Sequence, residues 1–310
     1  MLCVKPKHIG AISAQNCGLG IVLGALSGQK GASDPGDIMG GKMTDQQPVT
    51  IICMKWGTLY GADYVNVLYN AVADNLTRPF QFVCLTDDET GILPQVLCHP
   101  IPDMGFAEGE FGFGGWPKLA VFKRDFFGLT GRALFVDLDT VIVGDITPMF
   151  DVPGGLVLIR EWRRFNEYFK PRKIRGMSSV FAFDLGGEPE ILETYLADPA
   201  AARASVRHEQ AWLTKVARDM RFWPEEWVIS FKRNLLALPL LNRFVPPSEP
   251  GPQARVLAFH GVPRPIDVVP DADQRWGTFW RYGRGVVPFV RNYWFVYGGS
   301  EPQTVTRPDE

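Results

Sequence analysis

Two aspartates one residue apart, Asp137 and Asp139, follow the apolar run Ala133-Leu134-Phe135-Val136. A buried strand ending in two carboxylates gathers hard oxygen donors at one place, and the turn beyond it lets both reach a single ion. Such donors suit Mg2+ or Mn2+, which also draw phosphate oxygens. An isolated Asp-X-Asp is ordinarily a solvated turn. Its place here favours the ion, because unpaired carboxylates at a buried strand end are costly. Later, Val256–Phe259 reads as a strand running into His260 and Gly261, with Pro263-Arg264-Pro265 next. A neutral imidazole there completes a metal set of Asp137, Asp139 and His260; a hydrogen-bonded structural histidine is the plainer alternative.

The elements that must position these groups alternate between strand and helix from Val49 onward. Val49–Met54, Phe80–Leu85, Val96–Ile101 and Ala133–Val136 are short apolar runs of buried-strand type. Ala62–Leu76 carries Tyr64, Val65, Leu68, Tyr69 and Val72 at helical spacing. Pro117 opens a helix expected to run through Phe127. Further strands are expected near Leu156–Ile159 and Ser179–Phe183, and helices near Glu188–Leu196 and Gln210–Met220. This order predicts an α/β fold, a mixed and mostly parallel sheet flanked by helices. Ligands of such sheets collect at the carboxyl ends of strands, which nominates Lys55–Tyr60, Thr86–Asp88 and Asp137–Asp139. Asp88 is a candidate contact to ribose or base, with an exposed turn as the alternative.

The stretch Phe135-Val-Asp-Leu-Asp-Thr-Val-Ile-Val-Gly-Asp-Ile146 resembles the metal motif of GT-A-fold glycosyltransferases, most closely glycosyltransferase family 8. The resemblance extends to Thr58-Leu59-Tyr60-Gly61, Gly115-Trp116-Pro117-Lys118-Leu119, His208-Glu209-Gln210-Ala211-Trp212-Leu213 and Ala258 through Pro265, so it covers most of the chain. Glu209 stands where the family usually has Asp, and Arg264 where it has Lys. The resemblance implies a Rossmann-like GT-A sheet, Mn2+ or Mg2+, and a nucleotide-sugar donor, UDP-sugar by preference. It also implies hexose transfer, with retention, to a glycan, lipid-linked or other hydroxyl acceptor. Tyr60, Asp88, Lys118, Asp137, Gly261 and Arg264 are then the donor-binding set, with Tyr60 near the uracil and Lys118 near the sugar phosphate. Glu209 and Gln210 are the candidates for the group beneath the reacting carbon, helix capping being their alternative role. The chemistry follows from charge: a sugar–diphosphate bond breaks readily once the leaving diphosphate is neutralised. Lys118 and Arg264 can clamp phosphate, Arg in bidentate fashion.

Composition narrows the rest. Of 310 residues, 46% are hydrophobic and 21% charged, which argues against wholesale disorder, and the formal charge of −2 argues against a general nucleic-acid binder. The cysteines Cys3, Cys17, Cys53, Cys84 and Cys98 are odd in number, and three sit in strand-like runs. Buried thiols in a reducing compartment, hence a cytoplasmic protein, explain them better than disulfides. Residues 1–42 read as a disordered leader or start-site artefact, 43–274 as the transferase domain, and 275–310 as an aromatic and basic C-terminal segment and tail. The glycine-rich stretch 105–115 suits a lid or a flexible loop. The basic run 160–175 suits a solvated face or an acceptor-side patch for an anionic glycan or lipid headgroup. The aromatic segment from Trp276 to Tyr297 suits packing across the sheet, with peripheral contact to an anionic inner membrane face as the alternative. Three rival functions are a haloacid-dehalogenase-like phosphatase with Asp137 as nucleophile, a nucleotidyltransferase, and a non-catalytic nucleotide-sugar-binding pseudo-transferase. The phosphatase motif, however, normally opens its domain, and the early glycine-rich loop of a nucleotidyltransferase is missing.

Overall fold

The computed structural model describes residues 47–106, 115–163, 171, 174–238, 241–271, 274–276 and 283–302. Residues 1–46, most of the glycine-rich stretch, most of the basic run beyond Arg163, and Phe279, Trp280 and Tyr282 lie outside the described residues. Chain order gives β1 (Val49–Lys55), α1 (Ala62–Asn75), β2 (Phe80–Thr86), β3 (Val96–His99), a 3-10 helix (Trp116–Phe122), β4 (Arg132–Val136) and β5 (Thr140–Ile142). There follow β6 (Leu156–Arg160), β7 (Gly176–Asp184), α2 (Glu190–Ala197), α3 (Pro199–Ser205) and α4 (Glu209–Val216). The last elements are β8 (Met220–Phe222), β9 (Val228–Ser230), a π-helical turn (Phe231–Leu235), β10 (Val256–Ala258) and α5 (Pro288–Val296).

The main sheet runs β3-β2-β1-β4-β7-β6-β8. Its first four strands are parallel, β7 is antiparallel to both β4 and β6, and β8 is parallel to β6. A small second sheet, β5-β10-β9, carries the chain from the aspartate turn to His260. The expected mixed, mostly parallel sheet flanked by helices is what forms. Strand alternation divides the core: Leu134 and Val136 face the layer containing α1, while Ala133 and Phe135 face the layer of the 3-10 helix, α2 and α4. In register, Lys55 pairs with Thr86 and Ile52 with Phe135. The carboxyl ends of β2, β1 and β4 are therefore side by side, and the three nominated segments open at one edge.

Several expectations change. The helix expected at Pro117–Phe127 is a 3-10 helix that stops at Phe122. Its residues Trp116, Leu119, Ala120, Val121 and Phe122 are all buried, so apolar contact surrounds it instead of marking one face. Lys123 then turns to extended backbone, and Phe127 and Gly128 adopt left-handed φ of 54° and 71°, which no helix continues. Helix α4 ends at Val216, four residues early, because Met220 joins the sheet as β8. β3 stops at His99, short of Ile101.

In the C-terminal aromatic segment α5 packs on α1, while Trp276 meets Phe231 edge-on with centroids 5.7 Å apart. Trp294 meets Tyr64 edge-on with centroids 5.1 Å apart, the Tyr297 hydroxyl donates to Asp74 (2.8 Å), and Asn70 donates to the Tyr297 carbonyl (2.9 Å). Among the described residues, no helix is long and apolar enough to cross a membrane. Cys53 and Cys84, paired across β1 and β2, are buried free thiols as expected, and Cys98 beside Cys84 is half-buried.

Candidate active site

The turn after β4 is anchored from both sides. The Asp137 N–H donates to the Ser179 carbonyl on β7 (2.8 Å), and the Asp137 carbonyl accepts from the Thr140 hydroxyl (2.8 Å). By strand alternation the Asp137 side chain lies on the Phe135 face, where the 3-10 helix presents Lys118. The ammonium Nζ is 2.6 Å from Asp137 Oδ2 and 5.6 Å from the Phe135 ring centroid. Burial pushes the Asp137 carboxyl up to about 7; Lys118 opposes that rise, while Asp139 and Glu209 add to it. Burial works against the Lys118 charge too, but Asp137 and Glu209 outweigh it and hold the ammonium above its ordinary range.

Asp139 is held by the loop after β10. Its carbonyl accepts from the Phe259 N–H (3.1 Å), and Oδ2 accepts from the Gly261 N–H (3.2 Å). Oδ1 is buried and has no hydrogen-bond partner, and burial raises this carboxyl as well. Two half-buried carboxylates, one with an orphaned oxygen, are short of positive charge, and their hard oxygens fit a divalent cation.

His260 does not complete that set. Its Nε2 lies 2.6 Å from the Ser230 hydroxyl, and its ring stacks on Trp162 at 4.9 Å and 21°. Among the described residues, no three His, Cys, Asp or Glu side chains gather closely enough to hold a metal. The expected trio of Asp137, Asp139 and His260 is not drawn together in this arrangement, in which the imidazole lies against Ser230 and Trp162. Burial, then Lys232 and Arg233, lower its pKa to about 3. His260 sits at a left-handed φ of 43°, an uncommon conformation in which His is nevertheless enriched. Lys232 secures it, donating to the carbonyls of His260 (2.7 Å) and Val262 (3.0 Å). That strap keeps the Gly261 N–H on Asp139.

Glu209, the first residue of α4, is buried, and its Oε1 accepts from the Ser178 hydroxyl on β7 (2.7 Å). Gly115 leaves the room it needs, since a Cβ there would lie 2.4 Å from the Glu209 carboxylate. Gln210 is half-buried beside it, and its carbonyl accepts from Thr214 (2.9 Å). Tyr60 is half-buried and edge-on to Tyr64 (4.9 Å); burial and then Asp139 push its hydroxyl up, which sets it among the aspartates. Arg264 is buried and paired with Asp267 (3.0 Å), close enough to Tyr60 and Tyr64 to interact with both. Asp88 stays in an exposed turn. Its Oδ1 accepts from the Thr90 N–H (2.9 Å), its carbonyl accepts from Lys55 (2.8 Å), and the Thr90 side chain, then the Thr90 N–H, hold its carboxyl below the usual range.

The structure therefore brings Tyr60, Lys118, Asp137, Asp139, Glu209 and Gly261 together, with Arg264 engaged by Asp267 at the margin and Asp88 two strands away. Sequence reasoning missed Lys232, Ser230, Ser178 and Trp162. The three-residue strand β9 has no periodicity to mark its end, so Ser230 and Lys232 carried no signal.

No protein-family model matches this sequence, and no curated protein does. Solved structures do. The galactosyltransferase LgtC, in complex with donor and acceptor sugar analogues, aligns with a TM-score of 0.54 at 11% identity over 81% of this chain and 97% of that one. An active-site mutant of LgtC aligns with a TM-score of 0.50 at 11% identity, over 79% and 94% of the two chains. The bifunctional glycosyltransferase WbbM aligns at 11% identity with a TM-score of 0.46, over 71% of this chain, which spans about half (47%) of WbbM. Together with the strand order and the aspartate turn at the end of β4, the LgtC likeness assigns this chain the GT-A glycosyltransferase fold.

Proposed function

We propose that this chain transfers a hexose from a nucleotide-sugar donor, a UDP-sugar, to a hydroxyl acceptor on a glycan or lipid-linked glycan, with retention. The observation that carries the reading is the pair Asp137 and Asp139, with its orphaned Oδ1, beside Lys118 at the end of β4. LgtC, which shares the fold, was solved with donor and acceptor sugar analogues, and this supports the ligand class. Asp137 and Asp139 would hold Mn2+ or Mg2+, whose charge neutralises the departing diphosphate. Lys118 adds a second positive charge at the same place, exchanging part of its contact with Asp137 for a phosphate oxygen. Tyr60 packs against the base, and Gly261 positions Asp139. Arg264 reaches the phosphates by sharing its guanidinium between them and Asp267. Glu209, fixed by Ser178 and facing Lys118, lies beneath the reacting carbon, with Gln210 next to it. Asp88 serves the ribose only after its turn opens.

The phosphatase alternative needs its motif to open the domain, whereas Asp137 follows the fourth strand of the sheet. The test is UDP release from UDP-glucose, UDP-galactose and UDP-N-acetylglucosamine in Mn2+, with and without EDTA. Release from one donor, abolished by EDTA and by Asp137→Asn, is expected. Absence of release from any donor, or EDTA-insensitive release, would count against the reading.

A further inference from the structure

A cleft of about 290 Å³ opens beside the His260 loop, between the end of β6 and the start of β9. Its lining includes Arg160, Trp162, Arg163, Trp223, Glu225 and Arg233, three arginines against one glutamate. Arg160 lies 4.6 Å over the Phe222 ring. Neither Arg160 nor Arg233 has a carboxylate at ion-pair distance among the described residues. Two guanidiniums without counter-charge beside aromatic walls are a recognition surface for a planar or tetrahedral anion carried on an apolar-faced ring. The volume is at the small end of ligand pockets and suits about one sugar ring.

The cleft is joined to the aspartate site by two contacts. Trp162 forms its wall and stacks on His260, whose neighbour Gly261 holds Asp139. The Arg233 N–H donates to the same Ser230 hydroxyl that meets His260 (3.1 Å). We infer that this cleft binds the acceptor and that the acceptor is anionic: a sugar bearing a carboxylate or a phosphate, gripped by Arg160 and Arg233. The inference rests on the transferase reading for the word acceptor, and on the cleft alone for the anion.

Calorimetry on the full chain tests it with four probes: a glucuronate-terminated disaccharide, a 6-phosphorylated disaccharide, their neutral parent, and inorganic phosphate. One of the two anionic sugars should bind at least about tenfold more tightly than the neutral parent, and which one does so identifies the anion. Arg160→Gln and Arg233→Gln should each weaken it by about tenfold and leave the neutral sugar unaffected. Arg233 is exposed, so its variant decides should Arg160→Gln not fold. Equal binding of the neutral parent, indifference to both substitutions, or inorganic phosphate binding as tightly as the sugars would overturn the inference. Melting with UDP and Mn2+ on the unsubstituted chain separates the two claims. A UDP shift without anion preference refutes the cleft alone, and anion preference without a UDP shift refutes the transferase.

Discussion

Gly115 and Glu209 leave no room for a side chain between them, and Gly115→Ala is the perturbation that reads it. Gly115 has φ −86° and ψ 11°, which alanine adopts, so the backbone itself does not object. Restricting the unfolded chain would even stabilise by about 0.4–1 kcal/mol. The new methyl, however, would lie 2.4 Å from the Glu209 carboxylate. That carboxylate is buried and bonded to Ser178 at 2.7 Å, so it has no solvent to swing into. Displacing it forfeits a hydrogen bond to a charged group, about 1.5–3 kcal/mol, and adds about 1 kcal/mol or more of overpacking. The expected net loss is about 3 kcal/mol, read by urea denaturation at pH 7 with m unchanged. In a Glu209→Ala background the methyl meets vacated space, and the same substitution should cost less than about 0.5 kcal/mol. The coupling energy of the double-mutant cycle is then about 2–3 kcal/mol. An equal loss in both backgrounds would refute the claim that Gly115 exists to seat Glu209.

Other consequences are as specific. Lys118→Ala leaves the half-buried Asp137 without its cation and should destabilise the chain by about 2 kcal/mol, as read by urea denaturation; a loss below about 0.5 kcal/mol would contradict the pairing. His260 is neutral in the folded state, with a pKa near 3 against the usual imidazole value, so the unfolded chain takes up the extra proton as pH falls below about 6.5. Its contribution is complete above that pH and is lost on acidification toward 3. The stability advantage of the wild type over His260→Gln should therefore shrink by about 2 kcal/mol between pH 6.5 and 5, and a constant advantage would show that the imidazole is not buried neutral. Asp137, whose pKa is raised to about 7, acts with the opposite sign, its contribution being lost as pH rises from about 4 toward 7. Trp294→Ala should cost about 3–5 kcal/mol in urea denaturation, and a near-neutral result would mean that α5 does not lock onto α1.

The sheet was readable because its strands announce themselves. Val49–Met54, apart from Thr50, and Ala133–Val136 are apolar, as strands buried on both faces tend to be, and Tyr64, Val65, Leu68 and Val72 mark the face of α1. The aspartate pair was readable for the same reason, since carboxylates stand out at the end of an apolar run. What could not be read depends on contacts remote in sequence. The hydroxyl that the His260 imidazole meets belongs to Ser230, 30 residues away. The guanidinium of Arg264 turns to Asp267, a pairing that its resemblance to a phosphate clamp did not suggest. Pro117 looked like a helix start, but burial on every side wound the segment into a 3-10 helix. The partner of Trp294 in the aromatic C-terminus, Tyr64 on α1, lies far away in the chain and left no local signal.

The central claim is that Asp137 and Asp139 hold a divalent cation against a nucleoside diphosphate. Titration of Mn2+ into the chain with saturating UDP addresses it directly, followed calorimetrically for the wild type and for Asp139→Asn. The account predicts a single saturable Mn2+ site that needs UDP for full affinity, and at least a hundredfold loss, about 2.7 kcal/mol, in Asp139→Asn. Mn2+ affinity unchanged by the substitution, or UDP binding indifferent to the metal, would contradict it.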